Sequence, residues 1–592
     1  MQIRHEAVKD RIWGSMARKQ SKEEFFALMR KRFQEAETAE NENRIAAMDD
    51  LRFIHNYESA QWPIADQASR QADKRPMLTH NLLRKFLRSM MGAMQQTKPG
   101  LVVKPVDSED DVITADIYTD LIRQIEKDIE SPAEQAYNKA YEGAVGNAFG
   151  YIRVVAGFVD DTGFDQKIQI QRVENPWTVL MDPGRSTFLG TDQNYCFISG
   201  AMDRDAFHEK YPRATPGDDW QTMGDTFEKW YGSDTVRITE YFWAVPVTKT
   251  IAMLEDLSII ELTNTVTPRV IEEAGHRIVR TRAVQTKRYM WAKVSGQDIL
   301  EPARPWPGKY IPIIPVFGDE VNIEGKRVLF SFFRDAKDPQ QMYNFWLSAA
   351  TEIVALSPKT PYIGTAKHFN GFESLWKDSN IKNYAYLPYN ADKNTKIPPT
   401  RQNVSQVPGG HVTMMGIAQA NIMNTQGQYE ASLGEQGNER SGKAIYARQD
   451  ASARVTFSYL NNFHQSLLLV GHILTDLIPH IYDTNRIVRL RGPEDAMRFF
   501  EVNVPYFDPI TGTAKIAHDL SQGNFDTELD VSPAQSSRRE RAVREMIEMI
   551  QYIPDAGPVI ADLIVKNMDF PGAQEIADRL RSTSQQQQQP PQ

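Results

Sequence analysis

The residues with the strongest claim to chemistry lie in LGEQGNERSGKAI, Leu433 to Ile445, where Gly437 to Ala444 comes within one residue of a nucleotide-binding loop. Such a loop reads GxxxxGK[ST]: its backbone amides cradle phosphates, its lysine reaches the outer ones and its hydroxyl ligates magnesium. Ala444 stands where the hydroxyl is required. A phosphate loop also follows a buried strand, whereas Ala418 to Leu433 is rich in Ala, Gln, Asn and Met and reads as helix. Nucleotide hydrolysis is therefore a very weak reading. The segment reads instead as an exposed turn between two helices, with Gly434, Gly437 and Gly442 for the bend and Glu435, Gln436, Asn438, Glu439 and Arg440 suited to solvent.

Other candidate chemistry is sparse. His464 and His472 are eight apart, not the i, i+4 spacing that offers two ligands to zinc. Cys196 is the single cysteine and has no histidine beside it; it reads as a small buried hydrophobe and suits a reducing compartment. Asp49 and Asp50 are adjacent, so on a helix their carboxylates diverge instead of dividing acid and base roles. Asp160, Asp161 and Asp165 lack the acidic spacing of a calcium loop and read as a polar hairpin turn. The expectation is no enzyme, no cofactor and no metal.

The elements that must position these residues follow from hydrophobic period. Ser21 to Tyr57 carries Phe25, Phe26, Leu28, Met29 and Phe33, then Ile45, Met48, Leu51 and Ile54, at helical spacing. Its basic cluster Arg30, Lys31, Arg32 reads as a solvated face. Asn81 to Met94 and Asp111 to Ile129 are further helices, with Leu101 to Val106 a short strand between them. Ser131-Pro132-Ala133-Glu134 has the form of a helix start with serine at the cap. Tyr151 to Val159 and Lys167 to Val173 form a hairpin, and Val236 to Val316 is strand-like with aromatic and β-branched runs. Arg334 to Leu356 and His411 to Leu433 are helical around a proline- and asparagine-rich insert. Gly442 to Tyr482 reads as one helix of roughly 60 Å at about 1.5 Å per residue. A β segment, Phe499 to Val504, and a helix, Arg538 to Ile553, precede a glutamine-rich tail expected to be disordered. The fold class is α+β.

With 592 residues, 41% hydrophobic and 24% charged, the chain should hold several domains or stacked modules, and it has ample core material. The amino terminus lacks the apolar stretch of a signal peptide, and the apolar run Leu467 to Ile481 is broken by Gly471, His472, Asp476 and Pro479, so no membrane insertion is expected. A formal net charge of −9 lacks the footprint of a protein that grips nucleic acid, so any DNA contact should be local or weak.

At Ala140 to Pro183 the chain, reading YEGAVGNAFGYIRVVAGFVDDTGFDQKIQIQRVENPWTVLMDP from Tyr141, resembles the wing-domain signature of portal proteins from short-tailed double-stranded-DNA bacteriophages. The likeness extends through DKRPMLTHNLLRKFLRSMMGAMQQTKPGLVVKPVD (Asp73 to Asp107) and ERSGKAI (Glu439 to Ile445). It implies a portal fold assembled as a ring, usually of twelve subunits, at one capsid vertex. By order of elements the wing would be 1–333, the stem helices 334–356 and 411–433, the clip 357–410 and the tunnel loop 434–442. A long helix, 443–485, a helical crown with carboxy-terminal helices, 486–580, and the tail, 581–592, would complete it.

The resemblance further implies a virion protein assembled in the host cytoplasm. Its partners would be double-stranded DNA in the channel, terminase, a tail adaptor, and the major capsid and scaffolding proteins. Residues expected to meet DNA are Glu435, Gln436, Asn438, Glu439, Arg440, Ser441, Lys443 and Arg448. In the clip, Trp376, Lys377, Lys382, Tyr384 and Tyr386, with Tyr389, are of the types enriched at interfaces and are expected to dock terminase and the tail adaptor. The competing reading is a non-viral structural ring or scaffold, which would share the absence of catalytic groups.

Overall fold

The computed structural model describes residues 22–97, 99–106, 112–160, 162–216, 234–255, 258–263, 266–356, 362–379, 384–393, 397–401, 409–427, 442–491, 497–507, 514–521, 523–530 and 557–568, with single positions at 382 and 395 and a few between 543 and 580. These residues fall into two compact bodies. The first takes in the described parts of Met1–Ala47, Ser89–Ser331 and Phe457–Gln592; the second takes in Met48–Arg88 and Phe332–Thr456.

The strands of the first body begin with β1 (Gly100–Pro105), β2 (Phe149–Phe158), β3 (Gln166–Arg172), β4 (Val179–Met181) and β5 (Tyr195–Asp203). They continue with β6 (Thr235–Leu254), β7 (Ile259–Leu262), β8 (Ile278–Val294), β9 (Ile299–Pro305) and β10 (Ile313–Phe317). An antiparallel sheet runs β4-β5-β6-β8-β9, with β7 added to the far end of β6, and a smaller one runs β10-β2-β3. Helix Lys22–His55 lays Phe26, Met29, Phe33 and Ala36, one stripe at helical period, against Leu180, Tyr195, Phe197, Tyr241 and Val294 of the larger sheet. Phe197 and Tyr241 are cross-strand partners whose rings stack at 4.6 Å, and Tyr241 stacks on Trp243 at 4.9 Å.

The polar side of the same helix is also engaged. Arg32 donates to the Tyr241 hydroxyl at 2.7 Å, so the cluster expected to be a solvated face is divided: Arg32 anchors the sheet while Lys31 stays exposed. Glu40, buried, accepts from Arg327 at 2.7 Å and Arg185 at 3.4 Å, and Asn43 donates to the Arg327 carbonyl while accepting from the Leu329 amide. A buried carboxylate is tolerated because two guanidinium groups meet it.

The small residues of the Ala140 to Pro183 signature have a packing cause. Helix Ala133–Asn147 crosses β2 so closely that a Cβ on Gly150 would lie 2.1 Å from the Ala140 carbonyl oxygen, and one on Gly143 2.7 Å from that of Phe149. Ser131 is not the cap of this helix. Its hydroxyl donates to the Ile170 carbonyl at 2.7 Å, tying the helix start to β3. In the β2–β3 turn the Asp160 carboxylate accepts from the amides of Thr162 and Gly163 and the Thr162 hydroxyl, which holds its pKa below the usual carboxylate range.

Helix Gly442–Ile481 has 40 residues. Its part in the first body presents Tyr459, Asn462 and Ser466, one turn apart, to the carbonyls of Phe330, Gly318 and Pro315. The helix is thereby fastened along its length to backbone carbonyls of the body it crosses. Beyond it the chain departs from the expected helical crown. Residues 486–530 form five short strands, among them Phe525–Asp530, which pairs with β1, before the described helix Gly557–Asn567. The helix expected over Arg538 to Ile553 lies mostly outside the described residues.

In the second body helix Lys337–Leu356 carries Gln340, Asn344 and Ser348, all fully buried, at i, i+4 and i+8. They accept from the amides of Leu82, His80 and Leu78 in turn. The match is one of periods: four helical residues advance about 6 Å and two extended residues about 6.6 Å, so one stripe reads every second amide. At the same helix start Lys337 meets both Asp49 and Asp50, and Arg334 reaches buried Asp50 at 2.8 Å. The adjacent aspartates are an ion-pair anchor.

Candidate conduit loop and docking insert

Two segments of the second body carry the expected site residues. Helix Gly409–Thr425 ends short of the expected Leu433 and is followed by a turn of Gln426, whose buried amide donates to the Phe332 carbonyl, and Gly427. Gly427 has φ of +56° and faces Val455 so closely that a Cβ would come within 2.6 Å of its side chain. The chain thus leaves one helix beside the next, whose start at Gly442 is about 20 Å away along the axis. Glu435, Gln436, Asn438, Glu439, Arg440 and Ser441 lie outside the described residues. Lys443 and Arg448 belong to the first turns of helix Gly442–Ile481. Among the described residues the element before the glycine-rich segment is helix Gly409–Thr425, whereas a phosphate loop follows a strand; residues 428–441 lie outside the described residues.

The insert is closed by a two-residue pairing, Tyr362–Ile363 with Thr400–Arg401, and holds short helices Ala366–Phe369 and Glu373–Asp378. Trp376 is its centre. The indole donates to the Pro388 carbonyl at 2.8 Å and meets Tyr362 and Phe369 edge-on at 4.8 and 5.1 Å. Arg401 covers the other ring, Tyr362, at 5.6 Å. Buried His368 accepts at Nδ1 from the Thr365 amide and meets Tyr389 edge-on.

The candidate docking residues therefore separate. Trp376 is a folding residue of this small core. Lys382 pairs with Asp378 at 3.0 Å, which raises its pKa through that hydrogen bond and the opposite charge, while Lys377 is exposed. Tyr384 is partly exposed, and Tyr386 is 81% exposed. Ile363 and Ile397, which the aromatic pattern passed over, also face outward; isolated aliphatics carry no such sequence signal. Among the described residues no group of three His, Cys, Asp or Glu could hold a metal, and no helix is long and apolar enough to cross a membrane.

The arrangement offers surfaces and a turn, and its lineage is explicit. Residues 30–592 match the phage P22-like portal protein family. The chain belongs to that family. It is also similar to the portal protein of Acyrthosiphon pisum secondary endosymbiont phage 1, with 24% identity over 473 residues, covering 74% of this chain and 63% of the relative. The chain thus spans under two thirds of that portal protein's length. Membership agrees with the likeness carried by Ala140 to Pro183, a signature now explained by the closeness of helix and strand at Gly143 and Gly150.

Proposed function

We propose that this chain is the subunit of a ring, of twelve copies, at a single capsid vertex. The ring is the channel through which terminase packages the genome and through which the DNA leaves, and it carries the tail adaptor. The family match over nearly the whole chain is the observation that supports this most. A second is helix Gly409–Thr425, which has apolar residues on its outer face as well as its inner one: Ala418 and Ile422 are buried while Val412, Met414 and Ile417 face outward. Such a helix needs a neighbour on its outer face, and an adjacent copy supplies one. In this reading 1–333 is the wing, 337–356 and 411–425 lie in the stem helices, 357–410 is the clip and 443–485 the long helix. The ring performs no hydrolysis; the motor is separate.

Within the ring, segment 434–442 faces the duplex. Arg440, Lys443 and Arg448 give sparse cationic contacts, while Glu435, Glu439 and the amides prevent a stationary grip; only charges within about 8 Å act strongly on phosphates at physiological salt. Replacing Arg440 and Lys443 together with alanine should leave rings intact and impair packaging or genome retention. Packaging at the unaltered rate would remove the assignment. The clip docks terminase and then the adaptor through its outward residues, and replacing Tyr384 and Tyr386 together with alanine should weaken both interactions without dispersing the ring.

A further inference from the structure

In the far half of the β6–β8 ribbon, β6 alternates between covered and open positions while β8 is exposed from Val279 to Ala283. Ala252 and Leu254 are buried while Ile251 and Met253 between them are only partly covered, so odd positions of β6 point to the open face. Register places Arg280 opposite Met253 and Arg282 opposite Ile251, and directly opposed residues share a face. Both arginines are therefore on the open side, and both are exposed, with no hydrogen bond or ion pair among the described residues. β7 extends these rows with Ile259 and Glu261. The carboxylate of Glu261 is matched by Lys249 at 2.8 Å, so the open face carries two cations in excess. From Ile278 to Arg288, β8 holds four basic residues and no carboxylate, in a chain of net charge −9.

We propose that this face binds the phosphate backbone of duplex DNA, independently of base sequence and independently of segment 434–442. Same-face positions on a strand are about 6.6 Å apart, close to two phosphate steps of about 3.4 Å along one strand of a duplex. Guanidinium forks match phosphate oxygens. Three strands side by side form too broad a surface to enter a groove and read bases, so the contact is to the backbone. The proposal does not rest on the channel reading.

The test is fluorescence anisotropy of the full-length chain with a labelled duplex of mixed sequence, across a range of salt. Replacing both Arg280 and Arg282 with alanine should weaken binding and lower the slope of log affinity against log salt by about 1.8, the value for two lost phosphate contacts. Arg280→Lys with Arg282→Lys should keep the slope. An unchanged slope in the alanine pair overturns the proposal, as does a lysine pair that loses as much as alanine. Binding of a labelled polyglutamate with no duplex binding would make the partner an acidic protein and overturn it too. Loss of all binding in the Arg440 and Lys443 double alanine, with the ribbon variants silent, removes the ribbon and leaves the conduit; a ribbon-dependent slope in a chain that forms no ring does the reverse.

Discussion

The large sheet of the first body and the insert 357–410 are both rich in aromatic residues, and they use them in opposite ways. In the sheet, Phe197, Tyr241 and Trp243 form one stacked column closed by Phe25 and Phe33 of helix Lys22–His55. In the insert, Trp376 and Phe369 turn inward while Tyr386 is left outside. The difference follows from size. A sheet covered by a long helix can bury Phe33, Phe197 and Tyr241 and partly cover Trp243, whereas an insert closed by one two-residue pairing has interior for only a few rings. Aromatic composition therefore marks a core in the first and a core with a display surface in the second.

That contrast breaks first at Phe33. Phe33→Ala leaves a cavity under the column and should cost about 3–5 kcal/mol, read as a fall in the denaturant midpoint. A shift under about 1 kcal/mol would mean that the column is not the body's core. Trp376→Ala should cost less overall, because its core is small, but it should open the insert to protease near Pro388 while the first body's unfolding midpoint stays put. Protection equal to that of the unaltered chain would return Trp376 to the docking surface.

A third probe is pH. Burial pushes the Glu126 carboxyl up to about 7, against relief from the Tyr137 hydroxyl that donates to it at 2.9 Å and from the charge of Arg123. The native state thus holds a proton that the unfolded chain releases near 4.5, so stability should decline as pH rises from about 4.5 to 7 and level off above. Glu126→Gln should remove that decline, measured as the midpoint difference between the two chains across this window. A difference that does not vary with pH would show that Glu126 is ionised in the fold. Smallest is Tyr386→Ala, expected to change stability by under about 0.5 kcal/mol while weakening partner capture by the ring. Destabilisation comparable to Trp376→Ala would erase the distinction between the two residues.

These particulars also show how far sequence carries. The stripe Phe26, Met29, Phe33 was legible because helical period is local, and so was the Asp160 turn. Arg32 was misread because its partner Tyr241 is 209 residues away, and Ser131 because a cap and a tether to Ile170 need the same residue type. The stripe Gln340, Asn344, Ser348 looks like an ordinary polar face until the extended segment 78–82 lies against it. The strands of 486–530 escaped notice because, apart from Phe499 to Val504, they are four- to six-residue pieces whose pairing, as with β1 and Phe525–Asp530, is set at long range. Within the candidate site the outward tyrosines could be nominated, but inward Trp376 could not be told from them without its acceptor at Pro388.

The most direct test of the ring is to image the purified chain by electron microscopy and weigh the same sample by native mass spectrometry. A closed ring of twelve copies around a channel wide enough for duplex DNA is the expected result. A monodisperse monomer, or an assembly whose centre is filled by protein, would contradict it.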